Sequence, residues 1–91
     1  MHIGDFVRTL GEDDLQNAAA RRENNRLMRG EALPLGVCDD HELHLAAHRR
    51  AALDYAYDKL RRKDPEKARA LETHIALHAE KIKEAKETNH A

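Results

Sequence analysis

The chain has 91 residues, enough for one domain and a modest core. Sixteen basic residues balance seventeen acidic ones, and the net charge of -1 gives no electrostatic case for binding nucleic acid over the whole surface. One cysteine, Cys38, excludes an internal disulfide and fits a reducing compartment.

Of the 41% apolar residues much is alanine, with one Phe, two Tyr and no Trp. Alanine adds little burial per residue, so such a core packs helices closely but leans on a partner or on self-association. No apolar run is long enough to span a bilayer, and the N-terminus lacks a basic-then-apolar leader. The expected setting is intracellular and not secreted.

The fold class expected is all-α: one small domain over 1–91, an antiparallel helical hairpin with an additional N-terminal helix, a three-helix arrangement. Residues 1–11 read as an arm with Ile3, Phe6, Val7 and Leu10 at helical spacing between Gly4 and Gly11, and Phe6 is its expected anchor. Residues 12–29 read as the first helix, with Glu12, Asp13 and Asp14 in its first turn and Gly30 as its C-terminal cap. Its apolar stripe is thin. The helix therefore leans on the later hairpin or on another copy of the chain, and Leu15, Arg22, Arg26 and Leu27 are its candidate interface.

Residues 30–38 read as an extended linker in which Pro34 disfavours helix at Leu33. Leu33, Leu35 and Val37 alternate, so one side of the strip can lie on a helical surface. The hairpin covers 40–86, with a helix over 40–62 and a second from Pro65. Asp39 and Glu42 form a candidate capping box, and Asp64 caps the last helix with Pro65 at its favoured first position. Ala68, Leu71, Ile75, His78, Ile82 and Ala85 form a seam of period 3.5. A short turn makes the two helices antiparallel. It pairs Leu60 with Ala68, Ala56 with Leu71, Ala52 with His74 or Ile75, His48 with His78, and Leu45 with Ile82.

Five of the seven histidines, His41, His44, His48, His74 and His78, fall on these helix faces. The first expectation is that they are satisfied within the packing, with no cofactor. The sharper alternative is a metal site at His44, His48, His74 and His78, two pairs four apart on facing helices, with zinc as the ion. A third is a pH switch, in which charging buried imidazoles below about pH 6 loosens the hairpin. A di-iron carboxylate site is not expected, because it needs inward-facing Glu-x-x-His pairs on two helices and the five helix-face histidines have no Glu three residues before them. Cys38 with His41 is a weak nucleophile pair, and no phosphate loop or nucleophile elbow occurs, so no enzyme is expected.

Three strings read in order carry a resemblance: Arg22-Glu23-Asn24-Asn25-Arg26-Leu27-Met28-Arg29-Gly30-Glu31, then Asp39-Asp40-His41-x-x-His44-x-x-x-His48 after a proline-containing linker, then His74-Ile75-x-x-His78. Over about 12–80 the chain resembles the C-terminal, crown-side part of bacteriophage portal (head-to-tail connector) proteins. The resemblance implies structural work by an oligomeric, non-enzymatic phage assembly module acting through helix-mediated contacts. Portal subunits are several hundred residues long, so it implies an excised crown segment or a small phage or prophage protein sharing that module. It assigns no metal ligands. The other readings carried forward are a small histidine-rich zinc protein and a phage-encoded inhibitor or regulator of a host protein.

Overall fold

The computed structural model describes residues 3–89, and side chains over 11–88. Four helices follow one another: α1 (Ile3–Leu27), α2 (His41–Ala52), α3 (Tyr55–Lys63) and α4 (Pro65–Asn89). The described residues contain no strand. Among the described residues no helix is long and apolar enough to cross a membrane. α2 lies between α1 and α4, and α3 packs on α4. The molecule measures 51 × 38 × 19 Å, about two helix diameters thick. Its radius of gyration is 15.2 Å, against about 12 Å for a compact domain of this length.

The expected hairpin with an extra N-terminal helix is present, with three corrections. Residues 3–11 belong to α1, so the arm is the first part of a helix, and Glu12 to Asp14 are mid-helix. The proposed anchoring by Phe6 lies outside the described side chains.

Next, the helix expected over 40–62 is broken. α2 ends after Ala52, Leu53 is its C-cap, and Asp54 leaves the helical region (φ -79°, ψ 150°) to accept a hydrogen bond from the Ala56 N–H. A short acidic side chain in mid-pattern competes for the backbone donors of a new helix and starts one.

The third correction concerns the start of α2. Asp40, not Asp39, is the N-cap, and its carboxylate accepts from the Leu43 N–H at 3.1 Å. Asp39 is thereby freed to turn inward, and its Oδ2 accepts from the Gly36 N–H at 2.9 Å. Gly36 permits this approach: a Cβ there would lie 2.6 Å from Asp39 Oδ1.

Two boundaries agree with expectation. Gly30 has φ 88°, its N–H donates to Leu27 C=O, and the Glu31 N–H donates to Arg26 C=O. This double bond is the Schellman closure that glycine favours. Asp64 accepts from the Lys67 N–H, with Pro65 first in α4. In the linker, Leu33 and Leu35 are half-buried while Val37 is fully exposed.

The core is not a conventional apolar one. Among the described residues six large side chains are fully buried, and four are His44, His48, His74 and His78, beside only Leu27 and Leu71. Ala20, Ala47 and Ala68 fill the close approaches. Along α4 the inward face runs through Ala68, Leu71, His74 and His78, whereas Ile75 and Ile82 are half-buried and Ala85 is exposed. Two buried leucines contribute roughly 3–6 kcal/mol together, so the polar layer decides whether this fold holds.

Leu27 is completely buried inside the chain. It is a core residue and is withdrawn from the interface set, whereas Leu15, Arg22 and Arg26 are exposed. Capping can be tested without reference to the site. Asp40→Ala is expected to lower stability in chelator by about 1 kcal/mol, as for N-caps generally, read from the urea midpoint. An unchanged midpoint would remove Asp40 from that role.

Candidate metal centre

α2 carries His41, His44 and His48 at successive turns, and α4 carries His74 and His78 one turn apart, so both sets face the α2–α4 seam. The predicted facing of His48 and His78 is present, with ring centroids 5.3 Å apart. His48 and His74 are closer at 4.7 Å, and His44 and His78 are 5.2 Å apart. All four of the histidines singled out in the sequence are therefore brought together. α1 closes the cluster from the other side with Glu23, and the linker adds Asp39.

The outward nitrogens have partners whose chemistry fixes each tautomer. The Gln16 amide N–H donates to Cys38 C=O, so Gln16 Oε1 must accept, and it does so from the Asp40 N–H at 3.0 Å and from His44 Nε2–H at 2.8 Å. The Asn24 amide N–H donates to Ala47 C=O, so Asn24 Oδ1 accepts from His48 Nδ1–H at 2.7 Å. His74 Nδ1–H donates to Leu33 C=O at 3.0 Å. A neutral imidazole has one N–H and one lone pair. The lone pairs of His44 Nδ1, His48 Nε2 and His74 Nε2 are thereby turned inward.

All three nitrogens approach one atom, and the lone pair of His74 Nε2 is also within reach of His78 Nε2. Glu23 Oε1 lies 3.3 Å from His44 Nδ1, 3.3 Å from His48 Nε2 and 3.4 Å from His74 Nε2. Glu23 Oε1, His44 Nδ1 and His48 Nε2 are buried without any hydrogen-bond partner. Each such atom costs about 1–3 kcal/mol in a low-dielectric interior. A single added proton could satisfy only one of the three contacts, and 3.3 Å is long for a charge-assisted hydrogen bond of about 2.7–2.9 Å. With metal–ligand bonds of about 2.0–2.1 Å, the edge of a coordination tetrahedron is about 3.3 Å. The three contacts of Glu23 have the length of such edges rather than of charge-assisted hydrogen bonds.

His78 adjoins this group. Its Nε2 is 3.2 Å from His74 Nε2, and its Nδ1 is 2.9 Å from His41 Nδ1. Glu23, His44, His48 and His78 can each place one ligand atom within 4.8 Å of the others. Asp39 flanks the cluster, with Oδ1 3.5 Å from His44 Nε2 and Oδ2 3.8 Å from His78 Nε2. Two carboxylates beside neutral imidazoles match the charge of one divalent ion.

The histidine spacing pointed to the imidazoles but not to their surroundings. Glu23, Gln16 and Asn24 were missed because they lie on α1, whose stripe reads as weakly apolar. Their signal is a set of polar residues, Gln16, Glu23 and Asn24, seven or eight apart on the face that also carries Ala20 and Leu27. Asp39 was assigned to capping. Cys38 is exposed and its carbonyl, not its thiol, is engaged by Gln16.

Compared with protein families, with characterised proteins and with solved structures, the chain matches none of them.

Burial, then the neighbouring histidines, lowers His48 from 6.5 to about 3 and His78 to about 4. Both imidazoles are neutral in the fold at pH 7. As pH falls below 6.5 the unfolded chain binds protons that the fold refuses. Stability is therefore lost on acidification, by up to about 1.4 kcal/mol per pH unit for each histidine. The loss levels off once His78 and then His48 protonate in the fold. Urea melts in chelator between pH 7.5 and 5 are expected to show this decline, and a flat profile would refute the burial of neutral imidazoles.

Proposed function

We propose that this chain is a non-enzymatic helical module whose three packed helices are fastened by one divalent metal ion, of the zinc class, bound through Glu23, His44, His48 and His74 with His78 alongside. The observation that carries the reading is the approach of three imidazole nitrogens to one buried carboxylate oxygen, with the oxygen and two of the nitrogens left without any hydrogen-bond partner. The donor set is all nitrogen and oxygen, which suits borderline first-row dications better than magnesium or calcium. The outward N–H of each imidazole is held by an amide or a carbonyl, as the outer partners of metal-bound histidines generally are. The donors are buried on all sides, which favours a structural centre over one open to substrate.

A metal that binds only the folded chain stabilises it by about 2.7 kcal/mol at a hundredfold excess over its dissociation constant. For a domain of this size that corresponds to a rise in melting temperature of roughly 10 °C or more. One equivalent of zinc added to chelator-treated protein is expected to give such a rise, saturating at one ion per chain and abolished by Glu23→Ala. A melting temperature indifferent to zinc and to other first-row dications would overturn the reading.

The setting we favour is phage particle assembly. The residues that carry the likeness to portal C-terminal segments include Glu23, Asn24, Asp39, His41, His44, His48, His74 and His78, the same ones that build the cluster. On this reading the centre rigidifies a module that joins copies of itself or other structural proteins through helix faces. Leu15, Arg22 and Arg26, exposed on one side of α1, are the candidate contact. Native mass spectrometry of untagged protein is expected to show a closed oligomer that Leu15→Asp dissociates. A metal-loaded monomer at every concentration would remove the assembly reading and leave the metal centre standing.

A further inference from the structure

Glu23, His44, His48 and His74 supply four donors, and His78, which can itself bring a ring nitrogen within 4.8 Å of the donors of Glu23, His44 and His48, lies fully buried against them. We propose that His78 is the fifth ligand of the bound ion, and that His41 is a positioning residue that presents its Nε2 to the metal. This inference rests on the metal reading and specifies its coordination.

In the hydrogen-bond pattern of the fold, direction is set from one end. His74 Nδ1–H donates to Leu33 C=O, so His74 Nε2 is bare, and the 3.2 Å contact requires His78 Nε2–H to donate to it. His78 Nδ1 is then bare, and the 2.9 Å contact requires His41 Nδ1–H to donate to it. Without an ion, His78 therefore occupies the lone pair that His74 would give to a metal.

A cation taking that lone pair displaces the His78 N–H. The two Nε2 atoms are already 3.2 Å apart, close to the edge of about 3.3 Å between donors sharing one ion. His78 can join the metal once its proton moves to the far side of the ring. The proton on His41 Nδ1 passes to His78 Nδ1, the proton on His78 Nε2 leaves, and half-buried His41 takes one from solvent on Nε2. Each imidazole begins and ends neutral with one proton, and no net charge changes. His41 Nδ1 then accepts from His78 Nδ1–H, the outer-shell role that Gln16, Asn24 and Leu33 play for the other three.

Cobalt(II) in place of zinc in the full chain reports the coordination number, because five-coordinate cobalt absorbs far more weakly in the visible than four-coordinate cobalt. The wild type is expected to give the weak five-coordinate spectrum. His78→Ala and His41→Ala are expected to give the intense four-coordinate one. His41→Ala should weaken binding by about tenfold or more, as losses of outer-shell partners do. His41→Gln, whose amide oxygen can accept from His78 Nδ1–H, is expected to restore the five-coordinate spectrum. The half-buried position of His41 keeps this pair informative if His78→Ala does not fold. In the wild type, 15N NMR is expected to show the His41 proton moving from Nδ1 to Nε2 on zinc binding. A four-coordinate spectrum in the wild type, unchanged in His78→Ala, would overturn the proposal while the metal reading stood. Failure of the wild type to bind cobalt or zinc would overturn both.

Discussion

Glu23 Oε1 faces three imidazole nitrogens at 3.3–3.4 Å, two of them with lone pairs that nothing else engages, and that juxtaposition constrains everything around it. Like-signed electron density is held together only because the surrounding groups leave it no alternative. Gln16 holds His44, Asn24 holds His48, and the Leu33 carbonyl holds His74. Those three acceptors lie on α1 and on the linker. The bonds that orient the imidazoles are thus also the bonds that dock α1 and the linker onto α2 and α4.

The composition of the core follows from the same arrangement. A histidine layer occupies the centre where a helical domain ordinarily places leucine and isoleucine, and among the described residues only Leu27 and Leu71 are large, apolar and fully buried. Alanines at positions 20, 47 and 68 bring the helix backbones near enough for short bonds to form between their side chains. A fold of this type depends more on the exact matching of donors and acceptors than on buried area. An unmatched donor or acceptor in such a layer weighs as much as a lost methyl cluster in an oily core.

Much of this was legible along the chain. Asp64-Pro65 and Gly30 announced helix boundaries through local chemistry that no tertiary contact needed to supply. The four-residue spacing of His44 with His48 and of His74 with His78 put the imidazoles on facing seams, and the short turn put them in one layer. What could not be read was governed by competition between neighbours. Asp39 and Asp40 are both competent caps, and Gly36 decides between them by making room for Asp39. Asp54 looks like an ordinary polar residue on a helix until its carboxylate takes the Ala56 N–H. Glu23 sits among arginines in the sequence and reads as part of a solvated charged face. Only the rotation of α1 onto the cluster turns it inward.

The distribution of the donors along the chain has a topological consequence. They come from three helices separated by the linker and by α3. A cation joining Glu23 to His44 and His48 to His74 would close two loops of roughly 20 and 25 residues, each comparable to a disulfide loop that restricts the unfolded chain by about 3 kcal/mol. With a single cysteine the chain cannot form such a bridge covalently. Metal staples of this kind can be fastened and undone by the free ion concentration alone, in surroundings where a disulfide would be reduced.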